Sequence, residues 1–249
     1  MYQAILNFYV SLFLIMSVAC PLLISLLYSL FFKKISSEMD HHVGGSLLLH
    51  KKLRNWWIAI ISPLESTLFK TKLSSNTLTL SGLFLSFVSG ILFSYGYISL
   101  AGAALILNAV FDILDGRIAR RRNKATRMGA FLDSFCDRIG EIFIFTGLLL
   151  FFRLTSVFHI VLIILLTSFL ISYARARAEG LGFYTKVGLI QRAERLFILI
   201  IASCTSPFFE VFGFGEFTIL IAALDILAIL SVFTLFQRCF SIYSSLRSE

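Results

Sequence analysis

The chain has 249 residues, of which 58% are hydrophobic and only 14% are charged, whereas soluble domains carry about 25% charged residues. The net charge of +8 would suit a nucleic-acid-binding protein, but the Lys and Arg residues lie between long apolar runs, as in the cytoplasmic loops of membrane proteins. The composition therefore predicts an integral membrane protein surrounded by lipid bilayer and excludes nucleic acid as a partner.

Seven apolar runs predict membrane-spanning helices, because each is about long enough to cross ~30 Å of hydrocarbon. They cover residues 4–32, 77–95, 98–116, 130–152, 156–174, 194–212 and 217–236. The predicted fold is an all-α, polytopic membrane helical bundle. A polar linker follows the first run, so we divide the chain into an N-terminal helix with its linker (1–51) and a larger domain (52–249). A cleaved signal peptide is the alternative interpretation of the first run.

The basic residues predict the orientation of the bundle. If the N-terminus is outside, all 22 Lys and Arg residues except Arg153 fall on the cytoplasmic side. Such an asymmetry is a strong orientation signal, since cytoplasmic loops are enriched in Lys and Arg. The same orientation places the junction between the third and fourth runs in the cytoplasm.

The segment from Ser62 to Glu65 carries a helix-start signal. Ser62 can cap a helix, Pro63 suits its first position, and Glu65 can complete a capping box. We therefore predict a helix that begins here, ahead of the second apolar run.

Four aspartates surround the junction between the third and fourth runs. Asp112 and Asp115 are three residues apart and share one face at the end of a helix. Gly129, Asp133 and Asp137 are spaced by four and form one stripe at the start of the next helix. The short basic loop between them predicts an antiparallel hairpin that directs all four carboxylates at one point. Carboxylates at the edge of a membrane span are costly and by default mark function.

The alternative is structural: the carboxylates would pair with Arg117, Arg120 and Arg138 and stabilise the hairpin. Four carboxylates in a low-dielectric site repel one another, however, and stay ionised only if cations neutralise them. Ligands that are all oxygen favour Mg²⁺ or Mn²⁺ over zinc. Two such ions could bind a pyrophosphate and polarise the phosphorus under attack.

The residues from Asp112 to Asp137 read D-x₂-D-G-x₂-A-R-x₈-G-x₃-D-x₃-D, which resembles the signature of the CDP-alcohol phosphatidyltransferases at every specified position. Asn76 to Gly82 resembles the opening of that family's first core helix, with Ser75 where the family usually has Pro. The resemblance covers about residues 52–240. It implies a six-helix core, to which the first run adds an extra N-terminal helix, and a homodimer in the bacterial inner membrane.

The resemblance also implies the reaction, in which a phosphatidyl group passes from CDP-diacylglycerol to an alcohol and CMP is released. Asp137 is implied as the general base and as a member of the metal site. The other implied metal ligands are Asp112, Asp115 and Asp133, and the implied CDP-binding residues are Gly116, Ala119, Arg120 and Gly129.

A second cluster of charges bears on the identity of the alcohol. Arg175 and Arg177 end one apolar run, and Arg192 and Arg195 begin the next. Guanidinium groups bind phosphate bidentately, so the four could form a pocket for a phosphorylated acceptor. The alternative is that they are only positively charged residues of cytoplasmic loops.

Within the family, these segments resemble those of the bacterial and archaeal members that take inositol phosphate. That resemblance implies an acceptor site lined by Ser172, Arg175, Arg177 and Arg195. Two residues depart from the pattern: Arg175 stands where Lys is common, and Ala193 where Pro is common. Glycerol 3-phosphate is the alternative acceptor.

A membrane transporter is the alternative from another functional class. Asp225, in the last apolar run, would support it as an intramembrane acidic site. The sequence shows no internal repeat, however, and many transporter folds are built from repeats.

Overall fold

The computed structural model describes residues 5–14, 65–71, 73–183, 187–213, 215 and 217–247. These residues are almost entirely helical and contain no strand, which confirms the predicted all-α class. The helices are α1 (Ile5–Leu14), α2 (65–70), α3 (Ser75–Ser94), α4 (Ile98–Arg121), α5 (Arg127–Phe151), α6 (Val157–Gly180), α7 (Arg192–Val211) and α8 (Thr218–Arg247).

Four of these helices, α3, α4, α6 and α8, are long and apolar enough to cross a membrane. Helices α5 and α7 have similar lengths, but each begins with several charged residues, which lower its hydropathy. The protein is therefore a membrane helical bundle, as predicted. The count of six spanning core helices plus one remains a prediction.

Hydropathy placed the helices correctly but underestimated the length of three of them. Helix α4 continues from residue 116 to Arg121, α6 from residue 174 to Gly180, and α8 from residue 236 to Arg247. Hydropathy measures the apolar part of a helix, and the polar residues that follow continue the same backbone hydrogen bonding. Most of the first run and the whole linker lie outside the described residues.

Side-chain caps determine where three helices begin. Ser74 accepts a hydrogen bond from the backbone N–H of Thr77 at the start of α3 (3.1 Å), and Thr126 accepts one from Gly129 at the start of α5 (3.0 Å). At α7 the side chain of Glu194 accepts the backbone N–H of Gln191 (2.5 Å). Each cap satisfies an N–H group that has no partner within its helix. These starting points set the positions of the charged residues that follow.

Glu65, the predicted capping residue, forms ion pairs with α4. Its carboxylate accepts a hydrogen bond from Arg117 (2.6 Å) and lies 3.5 Å from Arg121. These ion pairs attach α2 to the end of α4. Residues 62–64, the rest of the predicted capping box, lie outside the described residues.

The helices alternate in direction, because short turns join α3 to α4, α4 to α5 and α5 to α6. Helix α3 packs against α4 and α5, α7 packs against α4 and α8, and α6 packs against α5 and α8. The ends of α4, α6 and α8 and the starts of α3, α5 and α7 therefore lie at one end of the bundle. That end carries the aspartates of the α4–α5 hairpin and the arginines of the predicted acceptor cluster.

Helix α1, the described part of the first apolar run, packs at the opposite end of the bundle. Asn7 of α1 donates a hydrogen bond to the carbonyl of Gly96 (3.2 Å), and Ser99 donates one to the carbonyl of Asn7 (2.9 Å). Ser11 and Ser99 share a further hydrogen bond (2.7 Å). Helix α1 is thus attached by buried polar contacts to the turn between α3 and α4.

Helices α3 and α5 cross in direct backbone contact at Gly90 and Gly147. A Cβ atom built on Gly147 would overlap the carbonyl of Gly90, and one built on Gly90 would overlap the carbonyl of Phe143. Small residues at a crossing let membrane helices approach this closely. The crossing fixes α5 relative to α3.

We expect Gly147→Ala to destabilise the protein by about 1–3 kcal/mol, because the added methyl group meets backbone that cannot rotate away. The measurement is thermal unfolding of the purified protein in detergent. Gly180→Ala is the matched control, since nothing lies within 4 Å of a Cβ built there. Equal melting temperatures for the two variants would contradict the close crossing.

Candidate active site

The hairpin of α4 and α5 brings three of the four aspartates together. Asp112, Asp133 and Asp137 each present a carboxylate oxygen, and these oxygens all lie within 4.8 Å of one another. The side chain of Asp112 is 38% exposed and that of Asp137 is 18% exposed, so the group opens toward solvent on the Asp112 side. This donor set consists of carboxylates alone, which fits a divalent cation of the Mg²⁺ or Mn²⁺ type.

The fourth aspartate, Asp115, lies deeper. It is buried, and its Oδ2 atom accepts a hydrogen bond from the Thr79 hydroxyl of α3 (2.6 Å). Asp115 lines the same cavity as Asp112 and Asp137. The structure thus keeps it beside the three-carboxylate group, in an orientation that Thr79 determines.

Arg192 provides the counter-charge for this group. Its Nη1 atom lies 3.1 Å from Asp112 and 2.7 Å from Asp137, and so joins the start of α7 to both helices of the hairpin. From the sequence we placed Arg192 in the acceptor cluster. The structure shows that its principal partners are instead two of the predicted metal-site carboxylates.

The arginines of the structural alternative have other partners. Arg117 binds Glu65, and Arg138 binds Glu141 (3.1 Å). The side chain of Arg120 lies over Gly116 of its own helix. In the described part of the chain, none of the three forms an ion pair with the four aspartates. Their carboxylates are therefore not explained as hairpin-stabilising pairs with these residues.

The other predicted CDP-binding residues flank the hairpin. Gly116 and Ala119 lie half-buried on the last turns of α4, and Arg120 is exposed there. Gly129 lies in the first turn of α5, and a Cβ built on it would be 3.2 Å from the Thr126 hydroxyl and 3.8 Å from Asn76. The hairpin loop and the start of α3 therefore meet at Gly129.

The predicted acceptor cluster divides into two parts. Arg175 pairs with Glu179 on the surface of α6 (2.8 Å), and Arg177 is exposed on the same helix. Ser172 donates to the carbonyl of Ser168, one turn earlier (2.9 Å). Arg195, by contrast, is only 1% exposed.

Arg195 is held by Glu141 of α5, which sequence reasoning missed. Its Nη2 and Nε atoms lie 2.6 and 3.1 Å from Glu141 Oε1. The Nη1 atom of Arg195 and the Nε atom of Arg192 are buried and have no hydrogen-bond partner among the described residues. Buried donors are normally paired. These two free donors therefore indicate a place for an anion, and Arg192 also lines the cavity beside the aspartates.

Arg238 of α8 is a second residue that sequence reasoning missed. It donates hydrogen bonds to the carbonyls of Val187 and Ile171 (3.0 Å each), which ties α8 to α6 and to the segment before α7. Its guanidinium group is close enough to Arg138, Arg175 and Arg195 to interact with them electrostatically. Four arginines thus collect near the start of α7, and Glu141 and Glu179 offset part of their positive charge.

Asp225, the residue that would support a transporter, is exposed on α8. It is not among the residues that line the cavity beside the aspartates. The structure therefore does not join it to the acidic site.

Residues 72–237 match the model of the CDP-alcohol phosphatidyltransferase family. A phosphatidylinositol phosphate synthase of Mycobacteroides abscessus is 37% identical over 197 residues, which cover 77% of this chain and 87% of that protein. A crystal structure of a Mycobacterium tuberculosis phosphatidylinositol phosphate synthase with CDP-DAG bound has a TM-score of 0.67 at 34% identity, covering 74% of this chain and 94% of that chain. A second structure of that enzyme, with manganese and citrate, has a TM-score of 0.67 at 33% identity, covering 74% and 88%.

Proposed function

Because the chain belongs to the CDP-alcohol phosphatidyltransferase family, we propose that it transfers the phosphatidyl group of CDP-diacylglycerol to a hydroxyl group of inositol phosphate and releases CMP. The observations that carry this proposal are the convergence of Asp112, Asp133 and Asp137 and the buried Arg195, whose Nη1 atom has no hydrogen-bond partner among the described residues. The first feature suits a metal-bound diphosphate, and the second suits a phosphorylated acceptor.

The metal site would be formed by Asp112, Asp115, Asp133 and Asp137, and two Mg²⁺ or Mn²⁺ ions would occupy it. When bound, such ions neutralise the carboxylates and the diphosphate and make the phosphorus more electrophilic. Asp115 is held for this role by Thr79. Gly116, Ala119, Arg120 and Gly129 would contact the CDP moiety around the hairpin.

Asp137 would act as the general base. The alcohol oxygen attacks the phosphorus that bears diacylglycerol, and its proton passes to Asp137. The bond from that phosphorus to the bridging oxygen breaks, so that CMP leaves with the electron pair. Arg192, 2.7 Å from Asp137, holds the carboxylate in place for this step. A positioned base is needed because an un-ionised alcohol is a poor nucleophile.

The acceptor phosphate would bind at Arg195, with Ser172, Arg175 and Arg177 at the end of α6 completing the site. Arg195 offers its free Nη1 donor, and Arg138, Arg175 and Arg238 add positive charge nearby. A neutral acceptor such as serine needs no such cluster. Relatives that carry the name phosphatidylinositol phosphate synthase support inositol phosphate over glycerol 3-phosphate.

The orientation and assembly belong to the same proposal. The distribution of Lys and Arg supports a cytoplasmic active site with the N-terminus outside, in the inner membrane of a bacterium. Resemblance to the family supports a homodimer.

The proposal is tested by measuring CMP release from CDP-diacylglycerol by the purified protein in detergent with Mg²⁺ or Mn²⁺. The acceptors are inositol phosphate, glycerol 3-phosphate, free inositol and serine. We expect turnover with inositol phosphate and little with free inositol or serine. Preference for glycerol 3-phosphate would change the acceptor, and efficient use of serine would contradict the phosphate site.

Arg195→Lys and Arg177→Ala should each raise the KM for the acceptor by roughly 10- to 150-fold, because a charge-assisted hydrogen bond is worth ~1.5–3 kcal/mol. Lys is used at position 195 because Ala would leave the buried Oε1 atom of Glu141 without its partner, with only Arg138 remaining at Oε2. The KM for CDP-diacylglycerol should change far less. Arg153→Ala, an exposed arginine in the turn after α5, is the control. Unchanged acceptor KM values would show that these arginines contribute only to the orientation of the protein in the membrane.

A further inference from the structure

We propose that Glu141 is a positioning residue of the acceptor site, which holds Arg195 so that one N–H group of its guanidinium remains free to bind the acceptor phosphate. The inference rests on the proposed function. It assigns a role to a carboxylate that lies outside the D-x₂-D-G signature and outside the predicted site.

Glu141 accepts hydrogen bonds from two of the three nitrogen atoms of the Arg195 guanidinium. The side chains of Glu141 and Arg195 are 3% and 1% exposed. Nη2 and Nε of Arg195 both lie against Oε1 of Glu141, at 2.6 and 3.1 Å, and Nη1 of Arg138 lies 3.1 Å from Oε2. Glu141 therefore fixes the plane of the Arg195 guanidinium. The third nitrogen atom of the Arg195 guanidinium, Nη1, is buried and has no hydrogen-bond partner among the described residues.

A buried ion pair does not by itself explain why these residues are charged. Its desolvation cost offsets most of the Coulomb attraction, and well-packed apolar residues often stabilise a fold equally well. Apolar residues would not, however, present a fixed N–H donor to an anion. The free Nη1 atom is the feature that the pair provides and that packing alone does not.

The Glu141–Arg195 pair is the second of two ion pairs that join α5 to α7. Asp137 and Glu141 are one turn apart on α5, and Arg192 and Arg195 are one turn apart on α7. Arg192 contacts Asp137, and Arg195 contacts Glu141. The contact at the proposed base and the contact at Arg195 are thus spaced by about one helical turn, ~5.4 Å along the axis. That separation suits an alcohol whose reacting hydroxyl and phosphate are several bonds apart.

Replacing Glu141 has two opposing effects on an anion. Removing a negative charge near the site strengthens phosphate binding, whereas releasing Arg195 weakens it. The sign of the change in KM therefore distinguishes a positioning role from simple electrostatic repulsion. If Glu141 only stabilised the fold, replacing it would not change the KM for the acceptor more than the KM for CDP-diacylglycerol.

The experiment compares Glu141→Gln and Glu141→Asp with wild type by steady-state kinetics in detergent. Glu141→Gln should raise the KM for inositol phosphate by roughly 10-fold, with a much smaller change in the KM for CDP-diacylglycerol. Glu141→Asp, which keeps the charge, should restore part of the affinity. Glu210→Gln is the matched control, because Glu210 is a half-buried carboxylate of α7 that accepts the backbone N–H of Phe217. That variant should leave both KM values unchanged.

A double-mutant cycle tests whether Glu141 acts through Arg195. The variant with both Glu141→Gln and Arg195→Lys should have an acceptor KM close to that of Arg195→Lys alone, because coupled residues are not additive. A lower or unchanged acceptor KM in Glu141→Gln, or full additivity in the double variant, would overturn the inference. A wild-type enzyme that prefers serine to every phosphorylated alcohol would instead overturn the proposed function, and the inference with it.

Discussion

Asp133→Asn is expected to abolish phosphatidyl transfer, and Asp112→Asn should do the same. The carboxylate oxygens of Asp112, Asp133 and Asp137 lie within 4.8 Å of one another. Asparagine keeps an oxygen ligand but removes the charge, and Mg²⁺ or Mn²⁺ sites depend on charged oxygen ligands. Asp133→Asn is the cleaner variant, because Asp112 also forms an ion pair with Arg192.

Two measurements check this expectation. CMP release reports activity, and Mn²⁺ binding to the purified protein, followed by electron paramagnetic resonance, reports the site without any turnover. EDTA should inactivate the wild type, and added Mg²⁺ or Mn²⁺ should restore it. Asp225→Asn is the control, since Asp225 is an exposed carboxylate of α8 that does not line the cavity. Undiminished turnover in EDTA would contradict the metal site.

The convergence of the aspartates could be predicted because it depends only on local geometry. Spacings of three and four residues place side chains on one helical face, and a short loop forces two helices to run antiparallel. The deeper position of Asp115 could not be predicted. It depends on the Thr79 hydroxyl, and therefore on how α3 packs against α4.

The acceptor cluster shows the limit of reasoning from position in the chain. The sequence places Arg192 and Arg195 at the start of one helix, three residues apart, but it does not show which acid each reaches. That outcome depends on the register of α7 against α5, which directs Arg192 to Asp137 and Arg195 to Glu141. Tertiary packing sets this register, and residue spacing does not.

Glu141 itself carried a signal in the sequence. It lies four residues after Asp137 and extends the stripe that begins at Gly129 and passes through Asp133. The signature ends at Asp137, so a search by motif stops one turn too early. The periodicity of the helix alone would have added this buried carboxylate to the candidates.

Asp137→Asn is expected to lower the rate of transfer by about 10² or more while binding of CDP-diacylglycerol is largely kept, since general-base catalysis contributes on that scale. Asparagine does not accept the proton of the attacking alcohol. The fold should tolerate the change, because Arg192 keeps its contact with Asp112 (3.1 Å) when the contact with Asp137 (2.7 Å) loses its charge.

The same variant separates the two roles assigned to Asp137, because Asp133→Asn provides the comparison. If Asp137 is a base that contributes little to metal binding, Asp137→Asn should be slow but should bind Mn²⁺ with nearly normal affinity. If Asp137 is a metal ligand, Asp137→Asn should lose Mn²⁺ as Asp133→Asn does. The measurements are the rate at saturating substrates, the affinity for CDP-diacylglycerol and the affinity for Mn²⁺. If Asp137→Asn loses Mn²⁺ and nucleotide binding as completely as Asp133→Asn, Asp137 is chiefly a metal ligand. The proton of the alcohol would then have to pass to another group.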